Sequence, residues 1–173
     1  MIQFIRNITQ SRTAWGILLG STLFFELCGM VFQHVMGLQP CVMCIYQRVA
    51  ILGIMAGALI GFINPRNWIL RWTGLLIWAY SSIEGLRLAL RHTDLQLNPS
   101  PFNTCDLFVT FPQWLPLDRW MPWFFNATGD CAELQWQFLS LTMPQWLIVS
   151  FGIYAIISFI IIAGNLIKGR CCG

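Results

Sequence analysis

Two cysteines separated by two residues, Cys41-Val-Met-Cys44, follow Pro40 and open a long apolar run. The thiolate is the nucleophile of sulfur exchange, and a helix N-terminus favours it through free N–H groups and a partial positive charge. A bridge across two intervening residues restrains little chain, so redox activity is the better reading of this pair than structural stapling. Haem attachment shares the spacing but requires a histidine where Ile45 stands. Zinc held by Cys41, Cys44, Cys105 and Cys131 is the competing reading, weakened because the second pair lacks close ligand spacing; no resident metal is expected. Arg48 lies four residues after Cys44 and seven after Cys41, so all three share a helix face. Its guanidinium starts about 6 Å deeper than Cys44. An arginine near the outer end of a membrane helix is costly unless paired or solvated. It can stabilise a thiolate or bind a carbonyl or anionic oxygen, with snorkelling to the headgroups as the plainer alternative.

Other polar residues offer weaker signals. Glu84 and Arg87 stand at i,i+3 and are expected to pair, with Arg91 a further turn up. His92 can donate to a carbonyl oxygen or shuttle a proton, although a histidine at an interface is more often simply solvated. His34 is the lesser candidate. A bridge between Cys105 and Cys131 would stabilise by about 3–4 kcal/mol through chain entropy, which fits a structural staple. Yet Pro99-Ser100-Pro101 and Thr128-Gly129-Asp130 give it surroundings of mobile character, and an exposed loop disulfide can be attacked by another protein's thiolate. Spacing leaves both open. Cys28 reads as a small buried hydrophobe, and Cys171 and Cys172 as incidental.

The elements that must position these residues are membrane helices. Of 173 residues 57% are hydrophobic and 10% charged, far below the quarter usual in soluble domains, and mean hydropathy is +0.64. A single domain of all-α class is expected, a bundle of four transmembrane helices at about 14–35, 45–63, 69–90 and 144–167. Each stretch matches a hydrocarbon core of about 30 Å within a turn. The first has an arginine preface like a signal peptide, but it is long, carries Glu26 and lacks a cleavage motif, so it reads as a retained helix. Arg6 and Arg12, Arg66 and Arg71, and Lys168 and Arg170 mark three cytoplasmic regions, so both termini lie inside. The uncharged turn 36–40 and the loop 91–143, with two arginines against five acids, face outward. That places Cys41, Cys44, Cys105 and Cys131 together in an oxidising compartment. Within the loop, Phe111, Trp114, Trp120, Trp123, Phe124 and Phe125 sit among Pro112, Pro116 and Pro122. This stretch either lies along the membrane surface or forms a lid on the bundle, and the prolines exclude one long helix.

Several short motifs recur in order: Phe32-Gln33-His34-Val35-Met36, Pro40-Cys41-Val42-Met43-Cys44-Ile45-Tyr46-Gln47-Arg48, Pro99-Ser100-Pro101-Phe102, Thr104-Cys105-Asp106 and Phe111-Pro112. They continue through Trp114-Leu115-Pro116-Leu117-Asp118, Gly129-Asp130-Cys131-Ala132-Glu133 and Met143-Pro144-Gln145-Trp146. On these motifs the chain resembles, over essentially its whole length, the disulfide bond formation protein B (DsbB) family of bacterial inner-membrane proteins. Gln47 departs from it, since an acidic residue is expected there in the best-known member. The resemblance implies a periplasm-facing thiol oxidase that reoxidises a soluble, thioredoxin-fold DsbA-like partner. Electrons would pass through Cys105–Cys131 and then Cys41–Cys44 to a membrane quinone, ubiquinone or menaquinone. Such a partner is a strong oxidant, near about −120 mV, so its reoxidation needs an acceptor at least comparable. Two local bridges, Cys41–Cys44 and Cys105–Cys131, are expected at rest. Arg48, helped by His92, is expected to place the quinone beside Cys44, with Cys105 and Cys131 remote from that step. A membrane scaffold with structural disulfides, and a quinone-linked reductase of the vitamin K type running in reverse, are the alternatives. No nucleic-acid partner is expected.

Overall fold

A computed structural model describes residues 7–98, 105, 109–111, 116–134 and 136–167. Arg6, Lys168, Arg170, Cys171 and Cys172 lie outside them, as do Pro99, Ser100, Pro101, Phe102, Thr104, Asp106, Pro112, Trp114 and Leu115. Within the described residues the chain is mostly helical. Four long helices, α1 (Arg12–His34), α2 (Val42–Ile63), α3 (Trp68–Leu97) and α6 (Met143–Ile167), carry the fold. Between α3 and α6 come two one-turn helices, α4 (Leu117–Trp120) and α5 (Pro122–Phe125), and a hairpin of β1 (Gln137–Phe138) with β2 (Leu141–Thr142). The prolines act as expected, with Pro116 at the N-cap of α4 and Pro122 opening α5.

Helices α1, α2 and α6 are long and apolar enough to cross a membrane. They leave apolar side chains such as Ile17, Leu27, Ile156 and Phe159 exposed on the outside of the bundle, as a lipid-facing surface requires. Helix α3 is different. Its 30 residues run about 45 Å, longer than a hydrocarbon core, and it packs along both α2 and α6. It does not end near Leu90 with its apolar stretch. Hydropathy tracks the lipid rather than the helix, and nothing breaks the backbone until Asn98, so the connecting loop begins there and not at Arg91.

Close approach of helices depends on small residues. A Cβ on Gly57 would meet the carbonyl oxygen of Gly74 at 2.8 Å, so α2 and α3 touch backbone to backbone. A Cβ on Gly61 would strike the indole of Trp15, which itself packs edge-on against Trp78 at 6.3 Å. Around these contacts Ile54, Ala58, Leu75 and Phe151 form the core. Tyr154 closes the ring of helices by donating its hydroxyl to Ser21 Oγ at 2.9 Å, α6 to α1. At the end remote from Cys41, Arg12 donates to the Ile63 carbonyl at 3.1 Å and so caps the C-terminus of α2.

The aromatic segment packs in part on the bundle. Phe125 is buried and stacks edge-on with Phe111 and Phe124, whereas Trp120 and Trp123 are exposed.

Candidate functional site

Cys41 is the N-cap of α2 itself, and Cys44 stands in its first turn. Its sulfur accepts from the Cys44 amide at 3.3 Å, the bond an N-cap side chain makes. The two sulfurs are 2.9 Å apart as free thiols, so the expected Cys41–Cys44 bridge is open in this structure. His92 Nε2 lies 3.6 Å from Cys41 Sγ. The histidine stands above the apolar stretch of α3 and is buried rather than solvated. Burial pushes its imidazole down to about 4, so it is neutral at pH 7.

Cys105 and Cys131 are bonded to each other, with Cα atoms 6.1 Å apart. The bridge is unequally exposed, because Cys131 is 2% accessible and Cys105 is half-open. It lies against the other pair, since Cys131 packs with Cys41, Met43 and Leu95 in one cluster that Cys44 and Cys105 flank. Backbone bonds explain the juxtaposition. The amides of Thr128 and Gly129 donate to the Pro40 carbonyl at 3.0 and 3.1 Å, seating the loop directly before Cys41. On the other arm the Thr110 amide donates to Tyr46 Oη at 3.0 Å.

Arg48 does not snorkel. At 9% exposure it turns inward, donating from Nη1 to Gln33 Oε1 at 2.6 Å and to the Phe124 carbonyl at 3.1 Å, and from Nη2 to the Gly29 carbonyl at 2.8 Å. Its guanidinium also sits 5.1 Å from the Phe124 ring centre. One side chain on α2 therefore ties α1 to the lid helix α5, and Gln33 adds a bond to the Trp123 carbonyl at 3.1 Å.

Below the cysteines opens a cavity of about 490 Å³, a volume typical of small-molecule sites. Cys41, Cys44, Arg48 and His92 line it together with Phe24, Phe25, Phe32, Ile51, Leu147 and Ile153. Cys28, read as a buried hydrophobe, is half-buried and also faces this space. Gln47, three residues after Cys44, lines it too. It is 1% exposed, and neither its amide nitrogen nor its oxygen finds a hydrogen-bond partner among the described residues.

Spacing missed Gln47 as a site residue, and it missed Gln33 and Phe124 as the partners of Arg48. Glu26, noted only as foreign to a signal peptide, is buried near the Arg48 charge, with neither carboxylate oxygen hydrogen-bonded among the described residues. A charge inside a membrane helix is itself the signal that would have found it. Glu84 and Arg87 do approach, at 3.7 Å, but on an exposed face where such pairs contribute little.

The family profile described as disulfide bond formation protein DsbB matches residues 11–161. Disulfide bond formation protein B of Aeromonas salmonicida is 54% identical over 172 residues, covering 99% of each chain. The protein of that name from Aeromonas hydrophila is 53% identical over the same length, with the same coverage. That from Yersinia pestis is 51% identical over 170 residues, 98% of this chain and 96% of its own. With the two cysteine pairs clustered at the head of an apolar helical bundle, the chain belongs to the disulfide bond formation protein B family.

Proposed function

We propose that this protein is a protein-thiol:quinone oxidoreductase of the bacterial inner membrane that reoxidises a soluble, thioredoxin-fold DsbA-like dithiol oxidase. The observation that carries the reading is the packing of a bridged pair, Cys105–Cys131, against a dithiol, Cys41 and Cys44, at the mouth of an apolar cavity. A staple that only held a loop would not need a second pair of thiols in contact with it.

The unequal burial of the bridge gives the exchange a direction. An incoming partner thiolate reaches the half-open Cys105 and displaces Cys131, whose sulfur is released beside Cys41. The partner's second thiol then displaces Cys105 and leaves as a disulfide, so two electrons and two protons reside on the loop pair. Attack of Cys131 on a bridged Cys41–Cys44, followed by closure of Cys105 on Cys131, restores the loop bridge and leaves Cys41 and Cys44 as the dithiol described above. His92, neutral and 3.6 Å from Cys41, is placed to take or return a proton at that sulfur.

The cavity fits a quinone on two counts. Its walls are apolar and aromatic, and it contains an orphaned amide at Gln47 beside Arg48, suited to a ring bearing carbonyl oxygens. When bound, a quinone supplies the acceptor for two electrons and two protons. Arg48, Gln47 and His92 would hold it, Gln47 as an amide donor and Arg48 as the cation. Charge supports a four-pass topology with both termini cytoplasmic, α3 as the fourth span and the cysteines periplasmic. Arg12, Arg66 and Arg71 gather at the end of the bundle opposite Cys41.

The test is purified protein with a reduced thioredoxin-fold partner and a short-chain quinone, following quinone absorbance and partner thiols together. One quinone reduced per partner disulfide formed is expected. Partner oxidation that never draws on quinone beyond a single turnover would leave the scaffold reading. Faster flow from hydroquinone to an oxidised partner would make the protein a reductase.

A further inference from the structure

We infer that the reduced pair Cys41 and Cys44, together with His92, is a three-ligand site for a thiophilic divalent cation such as Zn2+, and that filling it arrests the protein in its reduced state. The arrest rests on the redox reading above; the site itself does not. The three ligand atoms lie within 4.8 Å of one another. In tetrahedral zinc, with Zn–S near 2.3 Å and Zn–N near 2.0–2.1 Å, a sulfur and a nitrogen stand roughly 3.6 Å apart and two sulfurs roughly 3.8 Å. The Cys41 Sγ to His92 Nε2 separation is 3.6 Å and so already matches. The sulfurs, at 2.9 Å, must part by roughly another 0.9 Å to reach the tetrahedral spacing. Cys44 can supply that movement because it is only half-buried and faces the cavity, whereas Cys41 and His92 are buried and held.

The remaining features agree. All three ligands border one cavity, leaving room for water at the fourth position. Two thiolates and a divalent cation sum to zero, so the loaded site is neutral in a region of low dielectric, and Arg48 is already engaged by Gln33, Gly29 and Phe124. Cys105 and Cys131, bonded to each other, offer no thiolate, so this ligand set differs from a four-cysteine zinc centre. On binding, two S–H bonds break and two protons leave to solvent, two metal–sulfur bonds and one metal–nitrogen bond form, and nothing is oxidised or reduced. While the cation stays, neither sulfur can close a disulfide.

Cobalt(II) is the probe, titrated anaerobically into the reduced full-length protein and, in parallel, into a Cys105→Ser, Cys131→Ser variant. One tetrahedral cobalt per chain, with thiolate charge-transfer absorption, is expected in both, and none in the fully oxidised protein. Cys41→Ser or Cys44→Ser should abolish the bands, and His92→Ala should weaken binding at least about tenfold with helix content unchanged. One equivalent of Zn2+ should displace the cobalt and stop quinone reduction until a chelator is added. Bands that need Cys105 and Cys131, or an affinity indifferent to His92→Ala, would overturn the site. Because the titration uses neither quinone nor partner, an absence of quinone reduction would count against the redox reading and leave the site standing.

Discussion

Replacing Gln47 by leucine should move stability and quinone affinity in opposite directions. The amide is 1% exposed and both its polar atoms lack partners among the described residues. A buried polar group left unpaired costs about 1–3 kcal/mol, and leucine fills similar space without that cost. The quinone-free Gln47→Leu protein should therefore gain about 1–2 kcal/mol, a rise of about 2–4 °C in melting temperature for each kcal/mol in a chain of this length. A bound quinone would lose one neutral hydrogen bond worth about 1–1.5 kcal/mol, so KM for quinone should rise roughly five- to tenfold. Oxidation of the partner in a single turnover without quinone should be unchanged. The assay is thermal unfolding in detergent with and without a short-chain quinone, beside steady-state kinetics at varied quinone. A variant that melts lower without quinone and keeps its KM would refute the argument, since the amide would then be satisfied in the resting protein and idle in the complex.

Arg48→Ala should raise KM for quinone and, by removing three charge-assisted bonds, cost at least about 3 kcal/mol in denaturant unfolding. Arg48→Lys should recover part of the quinone step but not the stability, because an ammonium cannot reproduce the guanidinium fork. Partner oxidation in a single turnover should be slowed through the freed lid by less than the quinone step; the reverse order would assign the arginine to the partner-facing side. In Cys131→Ser the thiol of Cys105 should react with a maleimide at least about tenfold faster than the thiol of Cys131 does in Cys105→Ser, and equal rates would remove the directional argument from burial. In intact cells after reduction, a membrane-impermeant maleimide should reach the Cys105 side but not Cys171 or Cys172; labelling of those two without permeabilisation would invert the topology.

Much of this architecture can be read from residue types because the bilayer filters them. The helices around 14–35, 45–63 and 144–167 begin and end within a few residues of α1, α2 and α6. The end of α3 could not be read that way, because residues past Leu90 are polar enough to leave the membrane yet contain no breaker before Asn98. Cys41, Cys44 and Arg48 were legible together from spacing along one helix. What holds them was not: the Gly29, Phe124 and Pro40 acceptors are backbone carbonyls, and a carbonyl has no letter in the sequence. The contact between the loop bridge and Cys41 depends on such atoms, which is why spacing alone could not place it.

The two amides on the Pro40 carbonyl have a consequence for how this protein tolerates divergence. Any residue but proline at positions 128 and 129 supplies the same N–H, so the seat of the loop is specified by chain length and path, with no side chain required. The side chains at 128 and 129 are thereby free to vary without unseating the loop, while Cys131 keeps its place beside Cys41. A single inserted residue between Gly129 and Cys131 would do more harm than many substitutions upstream, for it would slide the sulfur out of register with Cys41 and leave every side chain of the site intact.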